Sequence, residues 1–284
     1  MIADGDVSSS FFSTVLGSAG MRVIVFGAAG RMGAEVCRAV AGDAELELVG
    51  AVDPHHAGID VRSVTGADVA GIQVDATSAA LDASEADVAV DFTEHDAARA
   101  NLVWCAKNGI HAVVGTTGFT DADLEEVGRL FPPAGPANCV VAPNFAIGAV
   151  LMMRFAELAA PWFESGEVIE LHHDGKVDAP SGTALATARR MAAASSHWSA
   201  DPTRTEVVAG ARGGSGPAGI RMHSVRLRGL VAHQEVLLGT TGQSLTIRHD
   251  SYDRSSFMPG VLLAVKSIPT RPGLTVGLDQ LLGI

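Results

Sequence analysis

Cysteines, basic residues and long apolar runs are all scarce in this chain of 284 residues. Its three cysteines, at positions 37, 105 and 139, lie far apart and form no CxxC pair, so their spacing predicts neither a disulfide framework nor a metal site. No stretch reaches the roughly 18 uninterrupted apolar residues that indicate a membrane-spanning helix. With 20 Lys and Arg residues against 32 Asp and Glu residues, the net charge of −12 is opposite in sign to that of a nucleic-acid-binding surface. We therefore expect a protein of the reducing cytoplasm that binds neither membranes nor nucleic acids.

The first 20 residues carry no basic residue and only a broken apolar run. A secretory signal would begin with positive charge and continue with an apolar segment. We predict that residues 1–20 are a disordered extension outside the fold, and that Met21 is an alternative start.

Short apolar strands alternate with helical segments from Met21 onwards. Strands are predicted over 22–26, 46–52, 88–92 and 110–115, and a fifth begins at Cys139. Fully apolar strands separated by amphipathic helices are typical of a parallel sheet covered on both faces. Threonines 93 and 120 are expected to cap two of the helices.

The pattern changes after residue 147. A long apolar helix leads into strands predicted over 168–173, 222–228, 233–238 and 244–249, which read as an antiparallel or mixed sheet with one open face. The fold class is therefore α/β: a Rossmann-like parallel sheet domain plus a smaller α+β domain, whose open sheet face is expected to pair with another subunit. We expect the dinucleotide-binding domain to comprise residues 21–147 and 255–284, and the second domain to comprise residues 148–254.

A glycine-rich loop joins the first strand to the first helix. It reads Gly27, Ala28, Ala29, Gly30, Arg31, Met32 and Gly33. Glycines let the backbone approach a pyrophosphate, which then lies at the helix N-terminus, although such loops also occur as plain tight turns. Asp53 follows the second strand, 20 residues after Gly33, where a carboxylate can accept from both ribose hydroxyls. The combination predicts binding of NADH or NADPH.

Asp53 also bears on which of the two cofactors is preferred. Its carboxylate would repel a 2′-phosphate, and the next residue, Pro54, supplies no compensating cation, although Arg31 could reach a phosphate. We expect NADH to be favoured and NADPH to be tolerated. The nearby His55 and His56 are interpreted as solvated loop residues.

Two further strand ends are candidate cofactor contacts. Open α/β sheets bind ligands beyond the carboxyl ends of their strands, and ordinary turns are the alternative interpretation. The residues expected to line the nicotinamide end are Gly115, Thr116, Thr117, Ala142, Pro143, Asn144 and Phe145.

The segment His172–Ala184 concentrates proton-transferring and anion-binding groups. His172, His173 and Lys176 precede Ser181, which is expected to cap a helix and leave the N–H groups of Gly182 and Thr183 for a carboxylate. Adjacent histidines on a strand point to opposite faces, which argues against a shared metal. The alternative is a surface loop in front of a capped helix.

The HHxxKxDAPSGTA stretch, together with Gly27–Gly33, Gly115–Gly118 and Ala142–Phe145, resembles the 4-hydroxy-tetrahydrodipicolinate reductases, long called dihydrodipicolinate reductases, from Met21 to the C-terminus. The resemblance implies reduction of a small cyclic dicarboxylate by NAD(P)H in lysine and diaminopimelate biosynthesis, without a metal, by a homotetramer.

Several residue roles are implied by the same resemblance. His172 would be the proton donor or acceptor, Lys176 the second proton donor, and His173, Gly182 and Thr183 the substrate-binding residues. Pro54 stands where some members have arginine, which weakens the expectation of a strong NADPH preference. Two alternatives stay open from the sequence: another two-domain dehydrogenase of a small carboxylate, and a dinucleotide-sensing protein without catalysis. The remaining histidines are interpreted as structural, namely His95, His111, His223, His233 and His249.

Overall fold

The first half of the chain forms a sheet whose apolar strands alternate with helices. The computed structural model describes residues 20–284, so the predicted extension at residues 1–20 lies outside the described residues, apart from Gly20. The strands of this sheet are β1 (Met21–Phe26), β2 (Leu46–Val52), β3 (Val74–Asp75), β4 (Val88–Asp91), β5 (His111–Val114), β6 (Cys139–Val141) and β12 (Leu274–Val276).

Seven strands lie in the order β12-β6-β5-β4-β1-β2-β3. All pairings among β1 to β5 are parallel. Val23 to Phe26 of β1 and all of β4 are buried, as expected for strands in the middle of a parallel sheet. The associated helices are α1 (Arg31–Ala41), α2 (Val61–Thr65), α3 (His95–Asn108) and α4 (Asp121–Leu130).

The second sheet is mixed and has five strands, in the order β11-β10-β7-β9-β8. Strand β7 is antiparallel to β10 and parallel to β9, whereas β10 pairs antiparallel with β11. Its strands are β7 (Ser165–His172), β8 (Gly214–Ser215), β9 (Arg221–Arg226), β10 (Ala232–Thr240) and β11 (Gln243–Ser251). The remaining helices are α5 (Ile147–Ala159), α6 (Gly182–Ala194), α7 (Met258–Ser267) and α8 (Asp279–Leu282).

Helices α5 and α6 pack on each other and on the second sheet. The core between them contains Met152 and Met191 from the helices and Val168, Val236 and Leu238 from the strands. These two domain types confirm the predicted fold class. Among the described residues, no helix combines the length and apolarity needed to cross a bilayer.

By packing, the described chain divides into two compact units. The first extends from residue 20 to Val140 and includes Ile268–Leu274, and the second comprises Val141–Ser267 and Thr275–Ile284. The structure therefore groups α7 with the second unit, whereas the predicted bounds gave all of 255–284 to the dinucleotide-binding domain. Those bounds, as a division of function, stay a prediction.

One predicted cap is wrong. Helix α3 begins at His95 with Glu94 as its N-cap, and Thr93 does not cap it. The Thr93 hydroxyl instead donates to the Asp91 carboxylate at 2.6 Å, because Asp91 is buried at the end of β4 and needs donors. The other prediction is confirmed, since Thr120 caps α4 in a reciprocal capping box with Asp123.

Candidate functional site

The glycine loop turns tightly between β1 and α1. The N–H groups of Gly27 and Ala28 both donate to the Val52 carbonyl at the end of β2, at 2.8 and 3.1 Å. A Cβ atom at Gly33 would lie 2.0 Å from the Gly27 carbonyl oxygen, so only glycine allows the helix to start this close to the loop. Gly30 is the N-cap and offers no side-chain hydrogen bond to α1.

The first-turn N–H groups of α1, which begin at Arg31 and Met32, have no intrahelical acceptors. With no capping side chain in front of them, they form a positive helix terminus suited to an anion. The residues of this loop therefore fit the pyrophosphate of a dinucleotide.

Asp53 lies directly after β2 and is only 8% exposed. One carboxylate oxygen, Oδ2, accepts from the Ala29 N–H at 3.2 Å. The other, Oδ1, accepts from the His55 N–H and lies 3.0 Å from His56 Nδ1. Sequence reasoning missed this part: His56 contacts the predicted ribose acceptor, whereas we expected a solvated loop residue. A carboxylate has about four acceptor positions, so these three contacts leave room for a ligand donor, and the role of Asp53 towards the ribose stays a prediction.

The end of β5 is organised by a buried acid that the sequence analysis did not single out. Asp91 accepts from the hydroxyl of Thr116 at 3.0 Å and from Asn101 Nδ2 at 2.8 Å. A Cβ atom at Gly115 would lie 2.1 Å from the Phe92 ring, so this position also requires glycine. The Thr116 side chain is thus buried and used in the fold, whereas Thr117 is exposed.

The residues after β6 belong to the second unit. Ala142 and Phe145 are buried and Pro143 is exposed. Asn144 accepts from the Ala146 N–H at 2.8 Å, and its Nδ2 donates to the Thr183 hydroxyl at 3.1 Å. A predicted cofactor residue therefore contacts a predicted substrate residue.

His172 is the last residue of β7 and is held by a buried acid. Its Nδ1 lies 2.5 Å from Glu170 Oε2. Burial lowers the pKa of His172, and the contact with Glu170 partly opposes that shift. Burial by itself would raise the pKa of Glu170, but hydrogen bonds from Arg226, Ser224 and His172 bring it below its ordinary value. A carboxylate can only accept here, so Nδ1 carries the proton and Nε2 is the free ring nitrogen.

The loop after β7 carries Lys176, whose Nζ donates to both oxygens of Asp178 at 2.7 and 2.9 Å. This contact lowers the pKa of Asp178. The Lys176 N–H donates to the carbonyl of His173 at 3.2 Å, which closes the turn. The sequence analysis did not anticipate that Lys176 already has a carboxylate partner.

Helix α6 begins at Gly182, and Ser181 is its N-cap as predicted. The Ser181 hydroxyl accepts from the Ala184 N–H at 3.2 Å. The N–H groups of Gly182 and Thr183 lie in the first turn of α6, just before the capped N–H of Ala184, at the positive end of the helix. A Cβ atom placed on Gly182 would meet no heavy atom within 4 Å, so the approach to this terminus is open.

One pocket of the second unit brings several of these groups together. His172, Ser181, Thr183 and Asn144 line it. Further lining residues that were not predicted come from β10 and β11, and they include His233, Gln234 and His249. No local motif marks them, and only the pairing of β10 with β7 and β11 brings them here.

The outlying histidines differ in their surroundings. Both ring nitrogens of His233 are engaged, by the Asp250 carboxylate at 2.7 Å and by the Val231 N–H at 3.3 Å, which fits a structural role. Burial lowers the pKa of His249.

Within residues 20–284, no group of three or more His, Cys, Asp or Glu side chains is arranged to hold a metal ion. The three cysteines are buried free thiols, and burial raises the pKa of Cys37 to about 12.

Comparison with known proteins covers nearly the whole described chain. A family model for "Dihydrodipicolinate reductase, N-terminus" matches residues 21–145, and one for "Dihydrodipicolinate reductase, C-terminus" matches residues 148–282. The 4-hydroxy-tetrahydrodipicolinate reductase of Nocardia farcinica is 53% identical over 269 residues, which cover 93% of this chain and 99% of the relative. That of Cutibacterium acnes is 50% identical over 268 residues, with 93% and 99% coverage.

A solved structure is similar over the same length. It is a dihydrodipicolinate reductase from Paenisporosarcina sp. TG-14, described as dipicolinate bound, with 42% identity and a TM-score of 0.80. The match covers 92% of this chain and 99% of that chain. The chain therefore belongs to the 4-hydroxy-tetrahydrodipicolinate reductase family, whose members carry out the NAD(P)H-dependent reduction of 4-hydroxy-tetrahydrodipicolinate in lysine biosynthesis.

Proposed function

We propose that the pocket of the second unit binds the cyclic dicarboxylate substrate and that His172 exchanges the proton that accompanies its reduction. The observation that carries this proposal is that His172, Ser181, Thr183 and Asn144 line one pocket. With Nδ1 engaged by Glu170, the Nε2 atom of His172 is the one that meets the substrate. Histidine suits this role because its ordinary pKa lies near neutral pH.

Lys176 is proposed to neutralise a substrate carboxylate and to act as the second proton donor. Its present partner, Asp178, is more than half exposed, and exposed ion pairs contribute little to stability, with a median of about 0–1 kcal/mol. A substrate carboxylate can therefore share Lys176 with Asp178, or replace it, at small cost. A local cation is needed because the net charge of −12 repels a dianion overall.

The second substrate carboxylate is assigned to the N-terminus of α6. The N–H groups of Gly182 and Thr183 lie beyond the Ser181 cap and favour an anion. The Paenisporosarcina relative is described as dipicolinate bound, and dipicolinate is a ring with two carboxylates, which is the ligand class proposed here. His173 is assigned to substrate binding.

The first unit is proposed to hold the cofactor, which supplies a hydride from its nicotinamide ring when bound. The glycine loop with its uncapped helix α1 fits the pyrophosphate, and Asp53 keeps one acceptor position for a ribose hydroxyl. NADH is proposed as the favoured cofactor and NADPH as a tolerated one, since the Asp53 carboxylate would repel a 2′-phosphate and Pro54 supplies no compensating cation. The residues assigned to the cofactor are Gly27 to Met32, Asp53, Gly115 to Thr117, and Ala142 to Phe145.

The reaction and the cofactor preference are tested in one assay. Oxidation of NADH and of NADPH is followed spectrophotometrically with the condensation product of pyruvate and aspartate semialdehyde as substrate. We expect turnover with both cofactors and the higher kcat/KM with NADH. Absence of substrate-dependent oxidation would contradict the assigned substrate, and a higher kcat/KM with NADPH would contradict the preference alone.

A homotetramer assembled through the second unit is also proposed, in the cytoplasm, where the three buried thiols stay reduced. Most of β11 is exposed in the single chain, and Leu245 and Leu227 are exposed apolar residues on β11 and just after β9. An open sheet face of this kind suits a partner sheet. Light scattering at working concentration should give four times the mass of the chain, and a monomer would contradict the proposal.

A further inference from the structure

Glu170 is the most completely enclosed carboxylate beside the substrate pocket, with 1% of its surface exposed. Its Oε1 accepts from the Ser181 N–H at 3.2 Å and from Arg226 Nη2 at 2.8 Å. Its Oε2 lies 2.5 Å from His172 Nδ1 and accepts from Arg226 Nη1 at 2.8 Å. These four contacts and the hydrogen bond from Ser224 fill the acceptor positions of the carboxylate, so Glu170 has none left for a ligand.

These four contacts join three parts of the site that are distant in sequence. His172 lies at the end of β7, Ser181 begins α6, and Arg226 lies at the end of β9, where it pairs in register with His172. Arg226 Nη2 also donates to the carbonyl of Asp178 at 2.6 Å, in the loop that carries Lys176. A displacement of Glu170 would therefore move the proton-transferring ring, the anion-binding helix and the lysine loop together.

The contact also decides which nitrogen of His172 faces outward. Because the Glu170 carboxylate can only accept, the proton stays on Nδ1, and Nε2 is presented on the pocket side of the ring. The charged groups recorded around His172 are Glu170 on its own strand, Lys176 in the following loop and Arg226 on β9. Of these, only the carboxylate stabilises a positive charge on the ring.

We propose that Glu170 and Arg226 are positioning residues for the reduction: Glu170 orients His172 and the start of α6 through one carboxylate, and Arg226 holds that carboxylate in place. This inference rests on the proposed role of His172. It does not make Glu170 a catalytic residue, since its oxygens are occupied by donors of the protein itself.

The chain supplies a matched control on the same strand. Glu167 of β7 lies 2.7 Å from His223 Nε2 and 2.7 Å from an Arg212 guanidinium nitrogen, so it forms a similar Glu–His–Arg cluster. Within residues 20–284, the side chains of this second cluster form no hydrogen bond or ion pair with His172, Ser181 or Lys176. Glu170→Gln and Glu167→Gln therefore remove the same charge from similar Glu–His–Arg clusters, with the Glu170 side chain 1% exposed and the Glu167 side chain 31% exposed, and only the first change touches the site.

The test compares kcat, cofactor affinity and the titration of His172 in the two variants. Glu170→Gln is expected to lower kcat by about 10- to 100-fold, the size of effect known for residues that orient metal-bound imidazoles. Its NADH Kd should stay unchanged, and Glu167→Gln should keep kcat within about 2-fold. In Glu170→Gln, the pKa of His172 measured by NMR should fall, because the carboxylate that opposes the effect of burial is gone. The corresponding limb of the kcat/KM profile should move to lower pH with it.

A merely structural role would not move the titration of His172. A normal kcat in Glu170→Gln, or a reduced kcat with an unshifted His172 pKa, would overturn the proposal. So would an equal loss of kcat in Glu167→Gln. If Glu170→Gln does not fold, Glu170→Asp carries the test: it keeps the charge, so the pH profile should stay in place while kcat falls because the side chain is shorter. An unchanged kcat in that variant, or a shifted profile, would overturn the proposal.

Failure of the proposed function is distinguishable from failure of this inference. If His172→Ala keeps near-normal kcat, the proton-transfer role itself is wrong. If His172→Ala loses activity and Glu170→Gln does not, only the positioning role is wrong.

Discussion

Two buried carboxylates organise the two candidate sites, and they differ in how far the protein compensates their charge. Asp53 in the first unit accepts from the N–H groups of Ala29 and His55 and contacts the His56 ring. Glu170 in the second unit accepts from Ser181 and His172, and from Arg226 through two parallel hydrogen bonds. No arginine or lysine contact is recorded on Asp53.

Because their charges are compensated to different degrees, the two carboxylates suit different purposes. A buried carboxylate that is paired with a guanidinium has its acceptor positions occupied, so it holds other groups of the protein in place. A carboxylate held mainly by backbone N–H groups keeps an acceptor position and part of its charge, which suits a ribose hydroxyl. Both acids tie the start of a helix, or the loop before it, to a histidine, so the same local arrangement occurs at the site proposed for the cofactor and at the site proposed for proton transfer.

The largest effect is expected from a variant that removes the proposed proton-transfer group of the second unit and leaves the glycine loop of the first unit unchanged. His172→Ala should lower kcat by about 10²- to 10⁴-fold with a smaller change in substrate KM, as for loss of a general acid or base. NADH affinity, titrated by fluorescence, should be unchanged because the glycine loop belongs to the other unit. Near-normal kcat would remove His172 from the proton-transfer role, and lost NADH binding would indicate a folding defect.

Two variants of nearby residues, Lys176→Ala and His173→Ala, test the other roles assigned to this segment. Lys176→Ala should damage kcat and KM together, because Lys176 is assigned both a proton and a substrate carboxylate. His173→Ala should raise KM more than it lowers kcat. Steady-state kinetics on the three variants would separate these roles, and identical profiles for all three would contradict them.

The next largest effect is expected at Asp53, the carboxylate that is held mainly by backbone N–H groups. Asp53→Ala should weaken NADH binding by about 1.5–3 kcal/mol, or roughly 10- to 150-fold in Kd, and weaken NADPH binding less. Part of the loss comes from Ala29, whose N–H loses its acceptor in the glycine loop. Asp53→Asn keeps an acceptor oxygen and should lose less. Asp60→Ala, which removes the nearby N-cap of α2, is the control and should leave both Kd values unchanged.

A third variant tests the close approach in the cofactor loop. Gly33→Ala places a Cβ atom 2.0 Å from the Gly27 carbonyl oxygen, and backbone must shift to relieve this. We expect a free energy of unfolding lower by about 1–3 kcal/mol and weaker NADH binding, as for other overpacked sites. Gly42→Ala at the end of α1, where the nearest atom is 3.4 Å away, should melt like the parent protein. Equal melting curves for the two variants would contradict the packing argument.

The smallest effect compares helix caps in the two units. Ser181→Ala and Thr120→Ala each remove a side-chain cap and should each lower the free energy of unfolding by about 1 kcal/mol. Only Ser181→Ala should also raise the substrate KM, since α6 is the proposed anion-binding helix. Thermal melts with parallel kinetics would show this, and an equal KM change in Thr120→Ala would argue against a special role for α6.

Family membership decides between the functional interpretations that the sequence alone left open. A dinucleotide-sensing protein without catalysis and a dehydrogenase of a different substrate are both set aside by relatives at about 50% identity over 93% of the chain. The specificity of the HHxxKxDAPSGTA stretch allowed that conclusion from the residues themselves. The residue roles within the site depend on the experiments above.

Local features were predictable because their causes lie within a few residues. The apolar runs of β1 and β4 predict buried strands, the glycine spacing predicts a loop that meets a helix, and Ser181 and Thr120 predict caps. The error at Thr93 has a tertiary cause, since the buried Asp91 takes its hydroxyl and leaves Glu94 at the N-cap position. The two-residue strands β3 and β8 were missed because so short a segment shows no periodicity.

The sequence by itself determined the fold class, the glycine loop, the helix that begins after Ser181 and the chemistry available in the His172–Ala184 segment. Only the tertiary structure decided what those groups contact: Glu170 with Arg226, 56 residues apart, and Gln234 and His249 in the pocket proposed for the substrate. These contacts follow from strand pairing, in which Gln234 lies opposite Glu170 and Arg226 opposite His172. The register of a sheet depends on the burial of whole faces and not on any local motif, so it becomes visible only when the strands are assembled.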